Sequence, residues 1–272
     1  MTVNYKYLNQ GLVHKIYKNN DYILKVPKDQ FEDFNNMRHF QIEKVSHQIL
    51  SKNSIPAVPI SQIFRKNVLI KGKNVLQEKY VNGIVIDNSE INEFQRKEIV
   101  NIMLKVNKIK IERFGDIMPN GCGRYVSWKS YIGNSITNIS DLIKSIPQSK
   151  LTLSVENLKC QLSLVPQIKY GVFLLLDTNS NNFIFNDNNR IIALVDVDHP
   201  ISGDPLYEYG ALKWFHPKSY ELLNNTFLKI DRETLPLLSF YYKHFGLKTL
   251  AFEIRHNLNT SESLKKLNEE NA

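Results

Sequence analysis

Three side chains in the C-terminal half have the types and spacing to work on a phosphate group. In the run from Leu174 to Leu212, Asp177 and Asn182 stand five residues apart across a polar loop, and Asp196 closes the apolar run IIALV further on. A carboxylate can orient an attacking hydroxyl and take its proton. An amide oxygen and a second carboxylate are hard oxygen donors suited to Mg2+ on a polyphosphate. Phosphoryl transfer needs such a set. An isolated Asp-x-x-x-x-Asn is also an ordinary turn.

The elements that must position these groups follow from the apolar pattern. Between Phe173 and Val197, FLLLD, NFIFN and IIALVDVD read as short strands separated by DTNSNN and DNNR turns, inside an otherwise mainly helical half. Upstream, Tyr5 to Val26 reads as two short strands around a loop, with Lys18 to Asp21 as the hairpin turn. Met37 to Ser51 places Phe40, Val45, Ile49 and Leu50 at helical spacing, and strand-like runs follow at Ile60–Ile70 and Asn74–Tyr80. After Val81-Asn82-Gly83 the character turns helical. Ser89 is the expected cap of a helix carrying Ile91, Phe94, Ile102, Met103, Val106 and Ile109. The expected class is therefore α+β: a small N-terminal antiparallel sheet plus helix over residues 1–82, and a larger, mainly helical lobe over 83–272 that ends in a fraying charged helix.

The order Leu175-Leu176-Asp177, Asn182, Val195-Asp196-Val197-Asp198 and Gly203-Asp204-Pro205 resembles the aminoglycoside phosphotransferase family, which has a two-lobed protein-kinase-like fold. The family's pattern is His-Gly-Asp, four residues, Asn, a hairpin, Ile-Asp-Trp-Asp, then Gly-Asp-Pro. The resemblance implies that Asp177 is the catalytic base and that Asn182 and Asp196 hold Mg2+. It further implies that Lys25, in YILKVPK, binds the nucleotide phosphates and that Glu43, on the following helix, pairs with it. Gly11, in LNQGLVHKIY, matches the loop over the phosphates, although a plain hairpin turn explains it equally well. Backbone groups at Glu78, Lys79 and Tyr80 match the segment that meets the adenine edge. Asp198 and Glu208 either face a cationic acceptor or serve as caps and ion-pair partners. Leu175-Leu176 replaces the family's His-Gly, Asn107 replaces a histidine frequent in relatives, and Trp128 is expected as a core anchor.

The implied activity is transfer of the γ-phosphate of ATP or GTP, with Mg2+, to a hydroxyl of a small molecule such as an aminoglycoside or another antibiotic. Leu175-Leu176 and the single loop glycine leave a second reading open, a catalytically silent nucleotide-binding or scaffold protein.

Composition narrows the classes further. A chain of 272 residues with 42% hydrophobic content can bury a sizeable core. Cys122 and Cys160 make neither a disulfide framework nor a metal-binding spacing, and His47, His199 and His216 have no spacing that pairs them for a metal. The N-terminal segment has no signal-like apolar run and no stretch reaches membrane-span length, so the expected location is the cytoplasm, without a membrane partner. Of the net charge of +8, residues 1–86 hold 13 Lys and Arg against 6 Asp and Glu. That excess is either a solvated basic surface or a field for a nucleoside triphosphate. It follows the nucleotide-binding lobe that the resemblance implies, so no nucleic-acid partner is expected.

Overall fold

The computed structural model describes residues 5–67, 72–143, 149–228 and 230–269. Two compact units emerge. The first comprises Met1–Ile102, Met118–Gly121 and Asn179–Pro200, and the second Met103–Ile117, Cys122–Thr178 and Ile201–Ala272.

The chain opens with three strands in the first unit, β1 (Lys6–Gln10), β2 (His14–Lys18) and β3 (Tyr22–Pro27). The segment LNQGLVHKIY, expected as one strand, is thus split: the Gly11 N–H donates to the His14 carbonyl at 3.0 Å and ends the β1 ladder. Helix α1 (Met37–Lys52) follows, capped by Asn36, whose side chain accepts the Arg38 N–H at 2.9 Å. Strands β4 (Ile60–Asn67) and β5 (Lys73–Lys79) complete an antiparallel sheet of order β1-β2-β3-β5-β4. The expected strand Ile60–Ile70 runs at its far end into residues outside those described. Leu24 and Val26 pack with Val75 on one face of this sheet. Strand alternation therefore turns Lys25 to the other face.

Helix α2 (Glu93–Val106) is divided between the units. Its cap is Asn92 and not Ser89. Asn92 Oδ1 accepts the Gln95 N–H at 3.0 Å while Gln95 Oε1 accepts the Asn92 N–H at 2.9 Å, a reciprocal capping box. Ser89 is held one turn earlier, its N–H and hydroxyl both donating to Asp87.

In the second unit come β6 (Lys110–Ile111), β7 (Phe114–Ile117), β8 (Gly123–Tyr125), α3 (Trp128–Ile143), α4 (Ser149–Cys160) and β9 (Gly171–Leu174). The chain then adds the hairpin β10 (Phe183–Phe185) and β11 (Ile191–Leu194) to the first unit. It ends in the second with β12 (Ile201–Gly203), α5 (Pro205–Phe215), α6 (Pro217–Thr226), α7 (Leu235–Arg255) and α8 (Ser261–Glu269). A sheet of order β6-β9-β12-β7-β8 lies within these helices. Strands of two to four residues are too short to show an alternation, which is why 110–125 does not read as sheet.

Gly203-Asp204-Pro205 has a structural meaning. A Cβ at Gly203 would collide with the Trp128 ring. Asp204 caps α5 by accepting the Leu206 N–H at 3.0 Å, and Pro205 occupies the first turn. Asp204 also accepts from the Tyr241 hydroxyl at 3.0 Å, and that hydroxyl accepts the Trp128 indole N–H at 2.7 Å. Trp128 is 1% exposed. Among the described residues no helix is long and apolar enough to cross a membrane.

Candidate active site

Lys25 stands at the centre of an ion cluster inside the first unit. Its Nζ lies 2.6 Å from Glu43 Oε1, 3.1 Å from Asp196 Oδ1 and 3.5 Å from Glu78 Oε2. Lysine and both glutamates are buried. Burial works against the ammonium, but Asp196, Glu43 and Glu78 outweigh it and hold its pKa well above the ordinary lysine range. One cation cannot balance three carboxylates in a poorly solvated place. Burial accordingly pushes Glu43 upward despite Lys25, and lifts Glu78 to about 7.

The pairing of Glu43 with Lys25 is the one the family resemblance implied. The ion-pair role of Glu78 went unseen in the sequence, where this residue mattered for its backbone alone. Register explains it: Lys25 pairs with Leu76 and Ile23 with Glu78, so Glu78 lies diagonally from Lys25 on the same face.

Asn182 and Asp196 come together at the same end of the β10–β11 hairpin. Phe183 pairs with Leu194, and the Val195 N–H donates to the Asn182 carbonyl at 2.9 Å, which leaves Asp196 one residue beyond that bond. The turn before Asn182 is tied down from residues 86–88: Ser180 Oγ donates to the Ile86 carbonyl at 2.6 Å, and Asn88 exchanges bonds with Ser180 and Asn179. Asp196 has φ +60, a left-handed conformation that non-glycine residues adopt at a cost of about 1–2 kcal/mol. Its side chain is 42% exposed while Oδ1 touches Lys25. An amide oxygen and a part-open carboxylate are an oxygen donor set, which fits a hard cation such as Mg2+.

Two residues on, Asp198 Oδ2 lies 3.5 Å from His39 Nε2 and 4.0 Å from His199 Nε2. Burial pushes Asp198 up, yet the imidazoles of His199, His39 and His14 together hold its carboxyl well below the usual range.

In the second unit, Asp177 is exposed directly after the buried run ending at Leu176. Leu176 has φ +64, the conformation a glycine adopts without penalty. Glu208 holds it there. Leu176 N–H donates to Glu208 Oε1 at 2.8 Å, and the Asn107 amide donates both to Glu208 Oε2 and to the Phe173 carbonyl. Glu208 is 1% exposed, and its contacts are those of the structural alternative. Burial lifts its pKa to about 7 against the pull of Asn107 and the amides of Leu176 and Leu175.

The remaining positions all lie in the first unit. Gly11 is exposed, and a Cβ there would meet no atom closer than the His14 carbonyl at 3.9 Å, so packing does not demand a glycine. The N–H groups of Lys79 and Tyr80 donate to the carbonyls of Pro59 at 2.9 Å and Asp21 at 2.7 Å. The Lys18 ammonium sits 3.4 Å above the Tyr80 ring.

No protein-family model matches the chain. Among characterised proteins, hygromycin-B 4-O-kinase from Escherichia coli is 24% identical over 108 residues, which cover 38% of this chain and 31% of that protein. The match thus spans less than a third of the curated relative's length. Solved structures agree over far more of the chain. Aminoglycoside phosphotransferase APH(4)-Ia, as a thermostable mutant in apo form, gives a TM-score of 0.78 at 15% identity over 98% of this chain and 92% of that one. The GDP complex of wild-type aminoglycoside 2'-phosphotransferase-IIIa gives 0.66 at 13% identity over 98% and 92%. The chain has the aminoglycoside phosphotransferase fold.

Proposed function

We propose that this protein is a small-molecule O-phosphotransferase that moves the γ-phosphate of ATP or GTP to a hydroxyl of an aminoglycoside-type antibiotic. The observation that carries the reading is the ion cluster of Lys25 with Glu43 and Asp196, built into a fold shared with enzymes solved with AMP-PNP and hygromycin B. The weaker sequence likeness to a hygromycin-B kinase points the same way.

In this reading Lys25 neutralises charge on the nucleotide phosphates, and Glu43 fixes the direction of its ammonium. Asn182 and Asp196 would hold Mg2+, which would supply charge neutralisation on the phosphates. Asp177 orients the acceptor hydroxyl and receives its proton as the oxygen attacks phosphorus, while the bond from phosphorus to the leaving nucleotide oxygen breaks. Lysine and aspartate each act through preset charge, and no covalent enzyme intermediate is involved. Glu208, through the Leu176 N–H, keeps the turn that presents Asp177.

The silent-scaffold reading drew on Leu175-Leu176 in place of His-Gly. It weakens, because Leu176 takes up the left-handed conformation that a glycine would supply.

The test is transfer of labelled γ-phosphate from ATP and GTP, with Mg2+, into hygromycin B, kanamycin, amino alcohols and sugars. Labelled antibiotic is expected from the parent chain and a loss of about 10²–10⁴-fold in Asp177→Ala. Equal rates in the two proteins would overturn the assignment of Asp177, and absence of both nucleotide binding and transfer would overturn the reading as a whole.

A further inference from the structure

His39 lies far in sequence from the adjacent pair Asp198-His199, yet the three converge within the first unit, and their ligand atoms all lie within 4.8 Å of one another. His39 Nε2 is buried and faces Asp198 Oδ2 at 3.5 Å. Its ring is held among Phe34 at 5.0 Å, Phe40 at 5.7 Å and His14 at 6.0 Å between centroids. The His199 ring lies 4.9 Å from that of His39, and its side chain is 63% exposed.

We infer that these three residues form a binding site for a zinc-class divalent cation, separate from the oxygen donors Asn182 and Asp196. Two imidazoles and one carboxylate are a donor set for Zn2+ and its neighbours in the transition series, and a poor one for Mg2+. Bonds of about 2.0–2.2 Å to a tetrahedral ion require ligand atoms roughly 3.3 Å apart. The observed separations, 3.5 and 4.0 Å to Asp198 with every pair within 4.8 Å, call for rotations of the exposed His199 and of Asp198. Occupancy would join α1, which carries Glu43, to the segment that carries Asp196, and would raise the stability of the first unit by linkage.

The test is a titration of the full, nucleotide-free chain at pH 8 with Co2+, which gives intense visible bands in a tetrahedral nitrogen-oxygen site and weak ones among oxygen donors. One equivalent of Co2+ with strong bands, displaced by Zn2+, is expected. His199→Ala should weaken the affinity by about 100-fold or more, since even outer partners of a metal are worth ~10–100-fold. Because His199 is exposed, this variant should keep the parent's melting midpoint in chelator. Zn2+ should raise that midpoint in the parent and not in the variant. Asn182→Ala should retain the bands. Bands that survive in His199→Ala, bands that vanish in Asn182→Ala, or no Co2+ binding by the parent would each overturn the inference.

Discussion

Lys25 Nζ lies 2.6 Å from Glu43 Oε1, across the gap from β3 to α1, and both side chains are buried. The same ammonium also faces Asp196 at 3.1 Å and Glu78 at 3.5 Å.

Removing that ammonium should cost more than a contact. Lys25→Ala leaves Glu43 and Glu78 buried without a counter-charge, a situation that destabilises by about 3–5 kcal/mol. Both carboxyls already have folded pKa values raised above their ordinary one, so their ionisation opposes folding as pH rises. The deficit in melting temperature relative to the parent should therefore be larger at pH 8 than at pH 5. A deficit independent of pH would show that the two glutamates do not carry it.

Asp177 and Asp196 should separate kinetically. Asp177→Ala is expected to lower kcat by about 10²–10⁴-fold with little change in nucleotide affinity. Asp196→Ala should lower kcat and also weaken Mg-nucleotide binding by about tenfold or more, because it removes a Lys25 partner and the proposed cation ligand. Isothermal titration with a non-hydrolysable nucleotide distinguishes the two, and identical binding losses in both variants would contradict the division of roles.

Glu208 provides a pH signature in the second unit. Its carboxyl titrates at about 7 in the fold against an ordinary value of 4.5. Between these values the unfolded chain has released this proton and the folded chain retains it. Stability should therefore fall as pH rises from about 4.5 to about 7 and level off above, by up to roughly 3 kcal/mol. Urea denaturation of Glu208→Gln across that range should lack this component.

Asp204→Ala should destabilise by about 2 kcal/mol. The α5 cap accounts for about 1 kcal/mol, and the Tyr241 hydroxyl, left without its acceptor in a buried place, for a similar amount. Asp204→Asn, which can still accept from Leu206, should recover about half of the loss in thermal denaturation.

The resemblance carried by Asp177, Asn182, Asp196 and Gly203-Asp204-Pro205 pointed to the fold that the solved structures share, while the roles of these residues stand as proposals. Helix α1 and the strands around Lys25 could be read because their apolar residues recur with the period of the element. The split of β1 from β2 and the Asn92 cap were not legible, since the first depends on one backbone bond from Gly11 to His14 and the second on a reciprocal pair between Asn92 and Gln95 that neighbouring polar residues could equally have made. Tertiary structure alone decided that Glu78 faces Lys25, because that follows from cross-strand register. It also decided that Glu208 is buried under Leu176, and that His39 meets Asp198 and His199. Those partners lie 32 to 160 residues apart, and sequence periodicity carries no information about which distant faces the packed core brings together.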